Sequence, residues 1–179
     1  VVKLVIFDLD GTLVDSDMTV IRILNTIRED LTLPSLKSQD ISFFLSLGGE
    51  EMIKKIIGND LDTKKYLEIF RQRYLDDSLD NENLFDGVIA YLNHLKSKDI
   101  EMAVFTNKPK ELTNKTLKRH KIYSFFNYIV TSDDLEFKKP SPDGCYKLIE
   151  MSSIPPENII MIGDSELDQK SANSASIAF

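Results

Sequence analysis

Residues 3–13, which read KLVIFDLDGTL, decide the fold class of this chain. Four apolar residues lead directly into Asp8, and a second acid, Asp10, follows two positions later, just before Gly11. A short, continuous apolar run is typical of a strand that is buried on both faces of a parallel sheet. Alternate residues of an extended chain lie on the same side, so the two acids would project together. Asp8 and Asp10 are either polar turn residues or a pair of carboxylates that the strand positions for a reaction.

Later apolar runs indicate that this strand belongs to a larger sheet. Runs rich in valine and isoleucine predict strands over 3–7, 100–105, 128–130 and 158–162. Between the later runs, helical patterns extend over about 86–98, 109–120 and 142–151. Strands that alternate with helices predict an α/β fold, in which a doubly wound, mostly parallel, Rossmann-like sheet has helices on both faces.

The region 15–84 breaks this alternation because it shows only helical periods. Its apolar residues share a face in each of three segments: Ile21, Leu24, Ile27 and Leu31; Met52, Ile53, Ile56 and Ile57; and Leu67, Phe70 and Tyr74. A crossover connection needs only about a dozen residues, so an inserted helical domain is favoured over helices that simply cover the sheet. The sequence therefore predicts a Rossmann-like core, 1–14 with 85–179, and a small helical domain, 15–84, inserted after the first strand.

The composition limits the class of function. The chain has 179 residues and a net charge of -7, which argues against a nucleic-acid-binding protein. No apolar run approaches the roughly 18 residues of a membrane span. Cys145 is the single cysteine, so there is no disulfide framework. Because the N-terminus also leads directly into a strand, we expect no signal peptide and a cytoplasmic protein.

Polar side chains follow the predicted strands at their carboxyl ends, where parallel sheets bind ligands. The candidate site residues are Asp8, Asp10, Gly11, Thr106, Asn107, Lys139, Asp164 and Asp168. Carboxylates that crowd at one point repel each other unless a cation is present. Oxygen ligands without nearby His or Cys favour Mg²⁺ over zinc.

These residue types suit phosphoryl transfer. A carboxylate can attack phosphorus to form an aspartyl-phosphate, and a second carboxylate can protonate the leaving oxygen and then deprotonate water. A lysine and a hydroxyl suit the remaining phosphoryl oxygens. The set is complete for metal-assisted phosphoryl transfer.

Four segments carry a resemblance to a known family. They are DLDGTL (8–13), FTNK (105–108), KKPSPD (138–143) and GDSELD (163–168). In this order they resemble the four motifs of the haloacid dehalogenase-like hydrolase superfamily, and the resemblance covers essentially the whole chain. The segment 84–109 is also similar to the phosphoglycolate phosphatase-like branch. The resemblance implies that the helical insertion is a cap domain, which closes over the site, excludes bulk water and sets specificity.

The resemblance also implies a role for each candidate. Asp8 would be the nucleophile and a Mg²⁺ ligand, and Asp10 the general acid and base, with its backbone carbonyl on the metal. Thr106 and Lys139 would hold the phosphoryl group, with Lys139 also orienting Asp8. The metal set would be completed by Asp164 and by Asp168, the latter through water or as a residue that holds the ligands. Backbone N–H groups around Leu9–Gly11 and at Asn107 would cradle phosphoryl oxygens.

The predicted activity is therefore a Mg²⁺-dependent phosphatase acting on a small phosphorylated metabolite such as phosphoglycolate. In the superfamily, dehalogenases lack an acid at the position of Asp10 and need no metal. Two alternatives stay open: a sugar-phosphate mutase of the β-phosphoglucomutase type, and a phospho-acceptor signalling module of the receiver type. The receiver is disfavoured because its phosphorylated aspartate ends a later strand, in a region that shows helical periods here, and because the first acids of this chain are spaced two apart.

The C-terminal residues depart from the family pattern. The family usually continues with a further strand and helix after an Ala-Gly step. Here Ala175 is followed by Ser176, and the sequence ends at Phe179. We therefore expect the last edge strand to be barely begun.

Overall fold

A computed structural model describes residues 1–37, 49–58, 61–77, 79–80 and 82–179. Within these residues the chain divides into two compact units. One unit contains residues 1–15 and 84–179, and the other contains residues 16–83.

The strands confirm the predicted mostly parallel α/β fold. They are β1 (Leu4–Phe7), β2 (Val14–Asp15), β3 (Asn83–Leu84), β4 (Glu101–Phe105), β5 (Tyr128–Val130) and β6 (Ile159–Ile162). The central sheet has the order β5-β4-β1-β6, with every pair parallel, and β2 pairs with β3 in a small separate sheet. The strand that carries the two acids therefore lies in the interior of the sheet, between β4 and β6.

Helices account for most of the remaining described chain. They are α1 (Asp17–Asp30), α2 (Gly49–Ile57), α3 (Thr63–Asp76), α4 (Val88–Ser97), α5 (Lys110–Arg119), α6 (Asp143–Ser152) and α7 (Glu166–Ser174). In the described parts of the chain, no helix combines the length and hydropathy that a membrane span requires. The predicted helices over 86–98, 109–120 and 142–151 are confirmed as α4, α5 and α6, with ends shifted by one or two residues.

The sheet is covered on both faces, which explains its continuous apolar strands. Leu4 and Ile6 of β1 pack in one core with side chains of α6 and α7. Val5 and Phe7 pack in a second core with side chains of α4 and α5. All four side chains are buried, so β1 needs apolar residues at every position rather than at alternate ones.

The unit of residues 16–83 is helical in its described part. The apolar faces predicted for α2 and α3 are buried throughout. In α1 the buried face includes Ile23, whereas Leu31, predicted to share that face, is only half-buried. The reason is that α1 ends at Asp30 and Leu31 is its C-cap residue, so Leu31 no longer follows the helical period.

The end of α7 places Ser176 in a backbone conformation that favours glycine. The Ser176 N–H donates to the Asn173 carbonyl (3.0 Å), and the Ile177 N–H donates to the Ala172 carbonyl (2.9 Å). This is the Schellman arrangement, whose first residue after the cap adopts a left-handed conformation. Ser176 has φ +59°, where a side chain is penalised. Ala178 then forms a single parallel bridge with Ile160 of β6.

We expect Ser176→Gly to raise the free energy of unfolding by about 1 kcal/mol, because glycine adopts a left-handed φ without the steric cost of a Cβ atom. Urea denaturation of the variant measures this change. Ser176→Ala is the matched control, since it removes the hydroxyl but keeps the Cβ atom and its penalty. Equal stability of the Gly and Ala variants would contradict the explanation.

Candidate active site

The candidate residues after β1, β4 and β6 lie at one edge of the sheet. Phe7, the last residue of β1, pairs with Val104 and with Ile162. The Asp8 N–H continues this ladder by donating to the Ile162 carbonyl (2.9 Å). Since all these strands are parallel, their carboxyl ends meet at this edge. All eight predicted site residues belong to the unit of residues 1–15 and 84–179.

Lys139 lies at the centre of the group. Its Nζ is 2.8 Å from Asp8 Oδ1 and 2.5 Å from Asp168 Oδ1. It also donates to the Phe105 carbonyl at 3.0 Å. Lys139 is 6% exposed and Asp168 is fully buried, and a buried charge is tolerated only when it is paired and hydrogen-bonded. All three ammonium protons therefore have protein acceptors, so contact with a phosphoryl oxygen requires an exchange of one of these hydrogen bonds.

Crowding and burial shift the pKa values of this group. Burial raises the pKa of Asp8 to about 7; Lys139 opposes the shift, while Asp168 and Asp10 add to it. Burial acts to lower the pKa of Lys139, but the charges of Asp8 and Asp168 outweigh it and the pKa is raised. Partial burial also raises the pKa of Asp164. The acids around Lys139 thus carry more negative charge than this one lysine neutralises.

Three of the acids are close enough to bind one cation together. Asp8, Asp164 and Asp168 each offer a carboxylate oxygen within 4.8 Å of the others. Asp168 already accepts from Lys139 at Oδ1, and from the Ser165 N–H (3.1 Å) and hydroxyl (2.6 Å) at Oδ2. An all-oxygen set with excess negative charge fits a hard divalent cation such as Mg²⁺. The side chain of Asp10 does not belong to this cluster.

Gly11 and Thr12 fix the position of Asp164. The Thr12 hydroxyl donates to Asp164 Oδ1 at 3.0 Å. Gly11 has φ +80°, and a Cβ atom there would lie 2.5 Å from Asp164 Oδ2. The sequence reasoning assigned Gly11 to phosphoryl binding but gave Thr12 no role. The available signal for Thr12 was its position within the DLDGTL segment.

We expect Gly11→Ala to displace the Asp164 carboxylate, because a Cβ atom cannot share space with it and the left-handed φ is strained for alanine. The variant should bind Mg²⁺ at least about tenfold more weakly than the parent chain, a loss typical of disturbed metal ligands. Isothermal titration with Mg²⁺ measures the change. Gly87→Ala is the matched control, since Gly87 also has a positive φ but nothing lies near its added Cβ atom. Equal Mg²⁺ affinity in both variants would contradict the assignment.

The turn after β4 contacts two other parts of the site. The hydroxyl of buried Thr106 accepts from the Lys108 N–H (3.1 Å). The Asn107 side chain accepts from the Lys139 N–H (2.9 Å) and donates to the Lys139 carbonyl (3.2 Å). Asn107 therefore holds the backbone of Lys139, a contact that the sequence reasoning did not foresee.

Lys108 is a second residue that the sequence reasoning left without a role. Its Nζ lies 2.8 Å from Asp10 Oδ1. The Lys108 side chain is 7% exposed and that of Asp10 is 34% exposed. Its place at the end of the FTNK segment was the only available signal, because the two residues are 98 positions apart in sequence.

Comparisons with known proteins show which family this chain resembles. The family of haloacid dehalogenase-like hydrolases matches over residues 5–179. A phosphoglycolate phosphatase of Aquifex aeolicus is 30% identical, over 97% of this chain and 81% of its own length. A phosphoglycolate phosphatase of Pseudomonas syringae pv. tomato is 29% identical, over 98% of this chain and 67% of its own length.

Solved structures show the same fold. A protein of Haemophilus somnus 129pt, described as a predicted phosphoglycolate phosphatase, superposes with a TM-score of 0.87 at 27% identity. The superposition covers 99% of this chain and 83% of the Haemophilus somnus protein. A haloacid dehalogenase-like hydrolase of Streptococcus pneumoniae has a TM-score of 0.85 at 26% identity, with coverages of 98% and 82%.

The chain belongs to the family of haloacid dehalogenase-like hydrolases. It is therefore an enzyme of the hydrolase class, and its similarity to phosphoglycolate phosphatases supports a phosphatase.

Proposed function

We propose that this protein is a Mg²⁺-dependent phosphatase that hydrolyses a small phosphorylated metabolite through an aspartyl-phosphate on Asp8. The observation that carries the proposal is the position of Asp8, which is paired with buried Lys139 and lies beside Asp164 and Asp168. Phosphoryl transfer to a carboxylate requires that the carboxylate is oriented and that a cation can bind beside it.

In the first step Asp8 attacks phosphorus. Lys139 engages Oδ1, so we assign the attack to Oδ2. A bond forms between Oδ2 and phosphorus while the ester P–O bond breaks. The leaving oxygen takes a proton from the Asp10 carboxyl group and departs as an alcohol. Thr106 and the backbone N–H group of Asn107 are the donors that we assign to the phosphoryl oxygens. The Gly11 N–H is not among them, because it donates to the Val14 carbonyl (2.9 Å).

In the second step water replaces Asp8 on phosphorus. The Asp10 carboxylate, now deprotonated, accepts a proton from the water as its oxygen attacks phosphorus. The bond between phosphorus and Asp8 Oδ2 breaks, which releases inorganic phosphate and restores the Asp8 carboxylate. Asp10 is again protonated, so both acids return to their starting states.

We assign to Mg²⁺ the side chains of Asp8 and Asp164 and the backbone carbonyl of Asp10. Asp168 would act through water or by holding Lys139. When bound, the cation offsets the negative charge of the carboxylates and phosphoryl oxygens and favours the ionised form of Asp8. The pairing of Asp168 with Lys139 and Ser165 supports the second role for that residue.

Phosphoglycolate is the substrate that we propose, because curated relatives with this name match almost the full chain at about 30% identity. The proposed acid at Asp10 suits an alkyl phosphate of this kind, whose leaving oxygen needs a proton. The role of the helical unit as a cap stays a prediction.

Phosphate release from a panel of small esters, with and without Mg²⁺, tests the proposal. We expect 2-phosphoglycolate to be hydrolysed fastest, and we expect a chelator to abolish release and added Mg²⁺ to restore it. Hydrolysis that is insensitive to the chelator would overturn the metal assignment. Conversion of a sugar phosphate to its isomer, without phosphate release, would favour the mutase instead.

A further inference from the structure

We propose that Lys108 is a positioning residue, which selects the oxygen of Asp10 that carries the proton for the leaving group. The inference rests on the proposed function, because it assumes that Asp10 is the acid of the first step. Neither the sequence motifs nor the similarity to relatives assigned Lys108 a role.

The contact between Lys108 and Asp10 differs from an ordinary surface ion pair. Pairs of exposed, flexible side chains contribute little because both partners are mobile. Here the Lys108 side chain is 7% exposed, so its stem is packed and its ammonium group is held 2.8 Å from Asp10 Oδ1. Such a charge-assisted hydrogen bond is short and directional.

The backbone below Lys108 is also held in place. The Lys108 N–H donates to the Thr106 hydroxyl, and the neighbouring Asn107 forms two hydrogen bonds with the Lys139 backbone. The turn after β4 thus connects Lys139, which pairs with Asp8, to Lys108, which pairs with Asp10. A displacement of the Lys108 backbone would therefore disturb the hydrogen bonds of the turn.

The chemistry of the pair determines where the proton lies. An ammonium group only donates hydrogen bonds, so Oδ1 of Asp10 has to act as the acceptor. In a neutral carboxylic acid the carbonyl oxygen is the stronger acceptor, so the contact of Lys108 with Oδ1 favours the proton of Asp10 on Oδ2. Through this contact Lys108 would fix the orientation of the Asp10 carboxyl group. The Asp10 O–H would then reach the leaving oxygen from one position, instead of exchanging between the two carboxyl oxygens.

The test compares esters that need a proton with esters that do not. The leaving oxygen of 2-phosphoglycolate needs protonation, whereas p-nitrophenolate leaves readily without it. For Lys108→Met we expect kcat/KM to fall about tenfold to a hundredfold with 2-phosphoglycolate and to change little with p-nitrophenyl phosphate. The value of kcat/KM is the right measure, because it reports steps up to the transfer to Asp8.

Three further variants sharpen the comparison. Asp10→Asn should show the same dependence on the leaving group as Lys108→Met, and Lys108→Arg should restore much of the loss with 2-phosphoglycolate. Lys110→Met is the matched control, since the Lys110 side chain is 61% exposed and contacts Asp134 instead. It should leave both values unchanged.

Equal losses of kcat/KM with the two esters in Lys108→Met, or no loss with either, would overturn the inference. If that variant fails to fold, Lys108→Arg decides: a leaving-group dependence unlike that of the parent chain would count against the inference, and a parent-like dependence would support it. If the parent chain hydrolyses neither ester, the proposed function fails, and the inference fails with it.

Discussion

Asp8→Asn should abolish turnover, with kcat lowered by at least about a thousandfold, as expected when the nucleophile of a two-step reaction is removed. A neutral amide oxygen is a poor nucleophile and cannot form the aspartyl-phosphate. The variant should still fold, because an amide oxygen can accept the hydrogen bond that Lys139 now donates to Asp8 Oδ1. Phosphate release with 2-phosphoglycolate and circular dichroism measure the two outcomes.

Asp99→Asn is the control for this change, because it makes the same replacement at an exposed residue of the same unit. It should keep full activity. If folded Asp8→Asn retained more than about a tenth of the parent kcat, the nucleophile would have to be another group, and the proposed mechanism would fail.

Lys139→Met should lose both activity and stability. Methionine keeps much of the apolar stem but removes the charge between Asp8 and Asp168. Removal of one partner from a buried ion pair typically costs about 3–5 kcal/mol, so we expect the free energy of unfolding to fall by about this amount. The Asp8 carboxylate would also lose its orienting partner, so kcat should fall at least about a hundredfold. Urea denaturation and steady-state kinetics measure the two effects.

Lys138→Met gives a closely matched control, because the neighbouring lysine is exposed. It should change neither stability nor kcat appreciably. If Lys138→Met and Lys139→Met had similar effects, the buried network around Lys139 would not have the importance that its contacts suggest.

The strands and the edge of the sheet could be predicted because their signals are local. A continuous apolar run such as 4–7 is needed where both faces of a sheet are covered, and its period distinguishes it from the helices. The acid at position 8 follows that run directly. Since parallel strands end at one edge, the positions after β1, β4 and β6 could be grouped from the sequence alone.

The contacts among the site side chains could not be predicted in the same way. Thr12 contacts Asp164 across 152 positions of sequence, and Lys108 contacts Asp10 across 98. Such pairs depend on how loops turn and which rotamers fit, and no periodic pattern encodes them. Asn107 illustrates the limit: its position in the motif indicated phosphoryl binding by its backbone, whereas its side chain holds Lys139.

The same reasoning explains the difference at Leu31. The helical period placed it on the buried face of α1, but a period does not indicate where a helix ends. Because α1 ends at Asp30, the last residue of the pattern lies outside the helix. Helix ends depend on capping interactions, which are less regular in sequence than the apolar face.

The stereochemical course at phosphorus tests the central claim most directly. A thiophosphate analogue of the ester, made chiral with oxygen isotopes, would be hydrolysed by the parent chain in water that carries a further oxygen isotope, and the configuration of the product would be determined. Two successive in-line displacements, first by Asp8 and then by water, predict retention of configuration at phosphorus. Inversion would show a single displacement by water and would contradict the aspartyl-phosphate on Asp8.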